Sequence, residues 1–146
     1  MKQFACLLCV ACAAIALSGC ARAARDTTGY AITDTVTLPA GFEESWQTVK
    51  GVLREMELDL YTRDKRGSFV AYSPMKRHLY ITTPHRTQYT ITLEDKGSES
   101  TLVTIETIEQ VYGVTLLTYP DWHDRKAKNN DTALAIIEAL KAKTAG

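Results

Sequence analysis

The chain has 146 residues, 45% of them hydrophobic, with 17 basic and 17 acidic side chains. That length suits one domain, and the balanced charge excludes the general nucleic-acid affinity of a strongly basic chain. Its four cysteines suggest a disulfide or metal framework at first, but their places along the chain exclude one.

Lys2 is the only charge before Arg22, and residues Phe4 to Leu17 are apolar or small. A basic start followed by an apolar run too short for a comfortable membrane span reads as a secretory leader. The run ends in Leu17-Ser18-Gly19-Cys20, whose small residues suit a peptidase that must seat an extended backbone. In this setting the four residues resemble the lipobox of bacterial lipoproteins. The resemblance implies that residues 1–19 are a signal peptide and that Cys20 is lipidated and becomes the new N-terminus. Because a single acyl chain binds a membrane only marginally, at ~0.8 kcal/mol per buried methylene, stable anchoring takes the several chains such proteins carry. Ala21, where an Asp would favour retention in the inner membrane, points to the outer membrane, facing the periplasm. Cys6, Cys9 and Cys12 leave with the leader, so no cysteine pair is left in a compartment that would permit disulfides. Only Lys2 among the charges is lost, which leaves one excess negative charge.

Residues 20–34 are small, polar and charged, a tether that reaches at most ~45 Å when extended. Residues 35–146 are the expected domain. Thr35 to Leu38 alternates and is β-branched, and Pro39 and Gly41 end it, so it reads as a strand and turn. Phe42, Trp46, Val49, Leu53 and Met56 then form one helical stripe. Glu43 and Glu44 stand at its positive end and Arg54 at its negative end. Trp46 is expected in the core, and Gly51 is expected to permit close contact with a sheet.

Strands follow. Leu58 and Leu60 alternate with polar neighbours, Asp64-Lys65-Arg66-Gly67 is a turn, and Ser68 to Ser73 returns. Between Met75 and Thr87, Leu79 to Thr82 is bracketed by Pro74 and Pro84, so an edge strand or long loop is expected. Gln88 to Leu93 and Thr101 to Tyr112 make a hairpin, with a shift of apolar phase that predicts a bulge near Thr107. Gly113 to Tyr119 reads as a strand or buried loop. Pro120 to Arg125 reads as an irregular polar loop with Trp122 anchored on the core. A last helix is expected from about Thr132 to Lys143, capped by Asn130 or Asp131, burying Ala133, Leu134, Ile137 and Leu140.

The order is β-α-β-β-β-β-α: an α+β fold in which two helices pack on one face of an antiparallel sheet. The stretch from Leu38 through Trp46 and the Asp64–Gly67 turn, with the terminal helix, resembles small bacterial lipoprotein domains of the helix-grip type, such as the C-domain of BamC. The resemblance implies that Trp46 packs on the sheet and that Asp64–Gly67 joins two strands. It implies no catalytic residue.

No catalytic, cofactor or metal motif is present. His78, His85 and His123 sit in no H-E-x-x-H, and Asp121, His123 and Asp124 are too few, on a Pro-broken segment, for a metal site. No serine sits in a G-x-S-x-G elbow. A basic cluster, Arg63, Lys65, Arg66, Lys76, Arg77 and Arg86, with Tyr61, Tyr72 and Tyr80 nearby, would meet anionic lipid or an acidic partner if its two turn regions share one end of the sheet. The expected function is a non-catalytic interaction or scaffold module of the cell envelope, without cofactor. Its expected partners are the membrane, through the lipid anchor, and envelope proteins or anionic lipid. The alternative is a small envelope hydrolase or ligand-binding protein.

Overall fold

A computed structural model describes residues 26–75, 83–97, 99–115 and 118–145. The leader and Cys20 lie outside the described residues, as do Lys76, Arg77, His78, Tyr80 and the edge strand or long loop expected at 79–82. The elements run β1 (Ile32–Leu38), α1 (Phe42–Glu55), β2 (Asp59–Asp64), β3 (Ser68–Tyr72), β4 (His85–Gly97), β5 (Ser100–Thr115), β6 (Thr118–Arg125) and α2 (Asp131–Thr144). This is the expected α+β class, a helix-grip-like antiparallel sheet with both helices on one face, and it has one strand more than expected.

β5 is the spine of the sheet. β4 lines one side of it, and β3 and β2 continue outward in that direction. On its other side β1 pairs with Thr101–Thr107, and β6 takes over from Glu109 onward, so the two lie end to end along one partner. The extra strand is the segment expected to be an irregular loop. Its polar residues suit an edge strand, and Pro120 is tolerated there because only one side needs a hydrogen-bonding partner.

Alternation fixes the two faces. Phe69 and Ala71 on β3, Tyr89, Ile91 and Leu93 on β4, Val103 and Ile105 on β5, and Val36 and Leu38 on β1 are buried. With Trp46, Val49, Val52 and Leu53 of α1 and Ala133, Ile136, Ile137 and Leu140 of α2 they build one core. Of the stripe expected on α1, Trp46, Val49 and Leu53 are buried, Phe42 and Met56 pack half-buried against the core, and Ser45 and Val52 are buried beside them. On α2, Leu134 is exposed and Ile136 takes its place, because positions 133, 136, 137 and 140 lie on one helical face and 134 turns away from it. Asn130 occupies the N-cap position without capping. Its amide donates instead to both oxygens of Asp34, at 2.9 and 2.8 Å, which satisfies a carboxylate on the core side of β1.

No bulge occurs at Thr107. The β4–β5 register runs unbroken from His85 opposite Val111 to Asp95 opposite Thr101 and shifts only at the hairpin end. The apparent change of phase arises because Thr107 is itself a core residue, buried with its hydroxyl unpartnered, while Ile108 faces the other way. β1 begins at Ile32 rather than Thr35, and Ala127 N–H donates to Tyr30 O at 2.9 Å, so the ordered domain reaches into the expected tether.

The end of α1 is a Schellman motif. Leu58 N–H donates to Leu53 O and Glu57 N–H to Arg54 O, with Glu57 at φ 54°. The Asp64–Gly67 turn is clamped by its surroundings. Trp46 Nε1–H donates to Asp64 O at 3.0 Å, Leu93 N–H donates to Gly67 O at 2.7 Å, and Phe42 covers Gly67. Within the turn, the Arg66 guanidinium hydrogen-bonded to Asp64 holds that carboxyl below its ordinary value. Gly51 does not serve a close approach to the sheet, since a Cβ there would meet nothing within 4 Å.

Candidate functional site

The core face of the sheet is filled, and the opposite face carries the chemistry. Even-numbered residues of β4 and β5 point there, and at the end of the sheet where β3 leaves they join residues of β3 and β6 in a row across four strands. Tyr72 on β3, Arg86 on β4, Gln110 and Tyr112 on β5, and Trp122 on β6 follow from the register, which sets Arg86 opposite Gln110 and Tyr112 opposite Trp122.

Arg86 is the centre of the row. Its guanidinium carbon lies 3.8 Å from the ring centroid of Tyr72 and 4.0 Å from that of Trp122, so it is stacked between two aromatic faces. Each such contact contributes ~0.5–2 kcal/mol, more as water is excluded. Its Nε–H donates to Gln110 Oε1 at 2.8 Å. Gln110 is buried, and its amide nitrogen donates in turn to Gln88 Oε1 at 3.0 Å and to Asp124 Oδ1 at 2.8 Å. The network fixes which way Gln110 points and thereby where the guanidinium sits. The aromatic row continues on both sides: Tyr61 meets Tyr72 edge-on at 5.9 Å, and Tyr112 meets Trp122 edge-on at 5.4 Å.

Beside this row lies an open cleft of about 270 Å³, walled by Leu60, Tyr61, Tyr72, Met75 and Trp122, with Asp59 and Arg86 as its charged groups. Tyr61 is 78% and Met75 50% exposed, a rare display of large apolar side chains on this domain. No described carboxylate lies within ion-pair distance of Arg86. The four ion pairs between described residues are Asp64–Arg66, Glu94–Lys96, Glu109–Lys128 and Glu55–Lys143.

The expected basic cluster is not assembled as one patch by the described residues. Asp64–Gly67 and the chain leaving Tyr72 are at opposite ends of β3. Arg63 pairs with Phe69 while Arg86 stands beyond Gln88, the partner of Tyr72. At about 3.3 Å per residue this separates them by roughly 15 Å along the sheet. Arg63 and Arg86 also face opposite sides, Lys65 and Arg66 are exposed at the turn, and Arg66 is paired with Asp64. Lys76 and Arg77 fall outside the described residues.

Among the candidate titrating residues, His85 and His123 are exposed, and His123 and Asp124 project to opposite faces of β6. No group of three His, Cys, Asp or Glu able to hold a metal occurs among the described residues. Trp122 does not anchor a loop on the core; it is half-buried on the helix-free face against Arg86 and Tyr112.

No family model and no curated protein matches this chain. Three solved structures have similar chain paths. Norcoclaurine synthase from Thalictrum flavum is 8% identical with a TM-score of 0.42, covering 84% of this chain and 93% of its own. A DUF4468 family protein from Bacteroides ovatus is 12% identical with a TM-score of 0.36, over 69% of this chain and 70% of that one. The Zhui aromatase/cyclase from Streptomyces sp. R1128 is 11% identical with a TM-score of 0.33, over 79% and 86%. Likenesses this distant carry no argument about what the cleft or the core does.

Proposed function

We propose that this chain is a lipid-anchored, non-catalytic interaction module of the bacterial cell envelope, held at the outer membrane through Cys20 and facing the periplasm. The anchor reading rests on the Leu17-Ser18-Gly19-Cys20 ending of the apolar leader. The observation that carries the binding-module reading is the division of labour between the two sheet faces. Phe69, Ile91, Ile105, Ile136 and Leu140 have no solvent exposure, so the space between sheet and helices is occupied by the protein's own side chains. Aromatic and charged groups with no core role gather on the helix-free face instead. Anchoring raises the effective concentration of such a face for partners at the same membrane.

Two measurements test the proposal. Intact-mass analysis of the protein taken from membranes should find acyl chains on Cys20, and Cys20→Ser should abolish acyl labelling and leave the leader uncleaved. A photo-crosslinking side chain at Tyr61, on the open face, should capture envelope proteins that the same probe at Glu138, exposed on α2, does not. An unmodified Cys20 would overturn the anchor. Hydrolase activity abolished by His123→Ala with the fold intact would replace the binding module with the small-hydrolase alternative.

A further inference from the structure

We infer that the cleft beside Arg86 on the helix-free face recognises the free carboxylate end of a peptide, with Arg86 as the carboxylate-binding group. The inference rests on reading the domain as a binding module and specifies the chemistry of what it binds.

Arg86 is prepared for a planar anion. Its two faces are covered by Tyr72 and Trp122, and its Nε is committed to Gln110. Among the described residues no hydrogen-bond or ion-pair partner engages its Nη edge, a fork whose spacing matches the two oxygens of a carboxylate and which lines the cleft. The guanidinium is held in place before any ligand arrives, so little side-chain entropy is lost on binding. The carboxylate of Asp124 makes no direct ion pair with Arg86; its Oδ1 accepts from the Gln110 amide, which stands between the two. Gln110, polarised by Asp124, accepts more strongly from Arg86 Nε and reinforces the placement.

The rest of the cleft selects among anions. Asp59 lines the same space, so the cleft has one positive and one negative group. A phosphate, with about −1.5 to −2 charges near neutral pH, would meet Asp59 with repulsion. A ligand with a single negative charge and an N–H close to it satisfies both Arg86 and Asp59. Leu60, Tyr61 and Met75 add an apolar wall, and the flexible thioether of Met75 adapts to side chains of different shape. Carboxylate, adjacent backbone N–H and an apolar side chain together are what the last residue of a peptide presents. At about 270 Å³ the cleft is just below the ~300–1,000 Å³ of pockets that enclose drug-sized ligands, which suits a chain end and not a long segment.

The experiment is calorimetric titration of the full protein as purified, whatever is found on Cys20, with N-acetyl-Ala-Leu as probe. Its C-terminal amide and inorganic phosphate are titrated in parallel. The acid should bind at least about tenfold more tightly than the amide, a difference of about 1.4 kcal/mol, and phosphate should bind more weakly than the acid. Arg86→Lys keeps the charge but removes the fork, and should lose about tenfold in affinity for the acid. Asp59→Ala, on the exposed rim, should also weaken binding while leaving the thermal midpoint unchanged. Equal affinity for acid and amide would overturn the assignment in favour of a neutral ligand, and tighter binding of phosphate would overturn it in favour of a phosphorylated one. Absence of binding by the acid at about 10 mM, weaker than any useful docking affinity, would also overturn it. A missing lipid on Cys20 would defeat the anchor without touching this result, so the two readings fail separately.

Discussion

Gly67→Ala is the single methyl group this domain should tolerate least. Gly67 has φ +101°, a conformation that L side chains rarely adopt, and a Cβ built there would lie 2.7 Å from Leu93 O and 3.0 Å from two ring carbons of Phe42. Leu93 O is backbone in a paired strand and cannot swing aside, and the ring of Phe42, the first residue of α1, lies over the turn. Two costs add. A side chain held in a sparsely populated backbone region costs ~1–3 kcal/mol, and an added carbon in a packed site costs another ~1–3 kcal/mol. Together they predict a loss of about 4 kcal/mol, a large share of the 5–15 kcal/mol that holds a typical domain folded. Urea denaturation followed by far-UV circular dichroism measures it. With a slope near 1.5 kcal/mol/M the midpoint should fall by roughly 2–3 M at an unchanged slope. Gly97→Ala is the control, because Gly97 has φ +76° but open space around its Cβ position; it should lose only the backbone part, about 1–2 kcal/mol. Equal losses from the two substitutions would refute the argument from close approach.

Thr107→Val should stabilise the domain by about 1–2 kcal/mol, because the buried Thr107 hydroxyl lacks a partner and an apolar atom of the same shape removes that penalty; a loss on chemical denaturation would show that the hydroxyl is bonded. Gly51→Ala should add about 1 kcal/mol, the difference in helix propensity, since the new methyl meets nothing, and a lowered thermal midpoint would mean that the helix needs a glycine there. Glu57→Gly should raise stability by about 1 kcal/mol by relieving the left-handed residue of the Schellman motif, measurable in the same denaturation experiment.

Much of the fold was legible in the sequence where one element carries one clear period. The α1 stripe, the Asp64–Gly67 turn and the β4–β5 hairpin follow from local spacing, because each element has a polar face to contrast with its buried one. The failures share a cause. β6 has no apolar face to alternate, so its strand character comes from pairing with β5 and not from its own residues. Thr107 broke the apolar pattern because a buried polar residue reads as an exposed one. Leu134 competed with Ile136 for the core, and only the packing of α2 against the sheet decides between adjacent helical faces. The candidate site was the least legible. Arg86 was singled out only as a charge, and its stacking between Tyr72 and Trp122 depends on the register of four strands. Residues 14 and 36 positions apart in sequence become neighbours only through that register.

The end-to-end arrangement of β1 and β6 along β5 has a mechanical consequence. The chain enters the sheet at Ile32, midway along the edge, at the joint between two collinear half-strands. Tension arriving through residues 26–31 therefore does not stretch a strand from its tip. It pulls sideways at the joint, where the Ala127 N–H bond to Tyr30 O and the Asn130 amide on Asp34 are the first links to carry load. Those links connect the joint to the segment leading into α2, so force is shared between sheet and helix before any β1–β5 bond is loaded. Beyond them β1 would peel from β5 one pair at a time, opening from Ile32 toward Leu38. The joint acts as a mechanical fuse, and Asn130→Ala should lower the force at which the strand begins to peel in single-molecule pulling from residue 26, while leaving the cleft on the far strands intact.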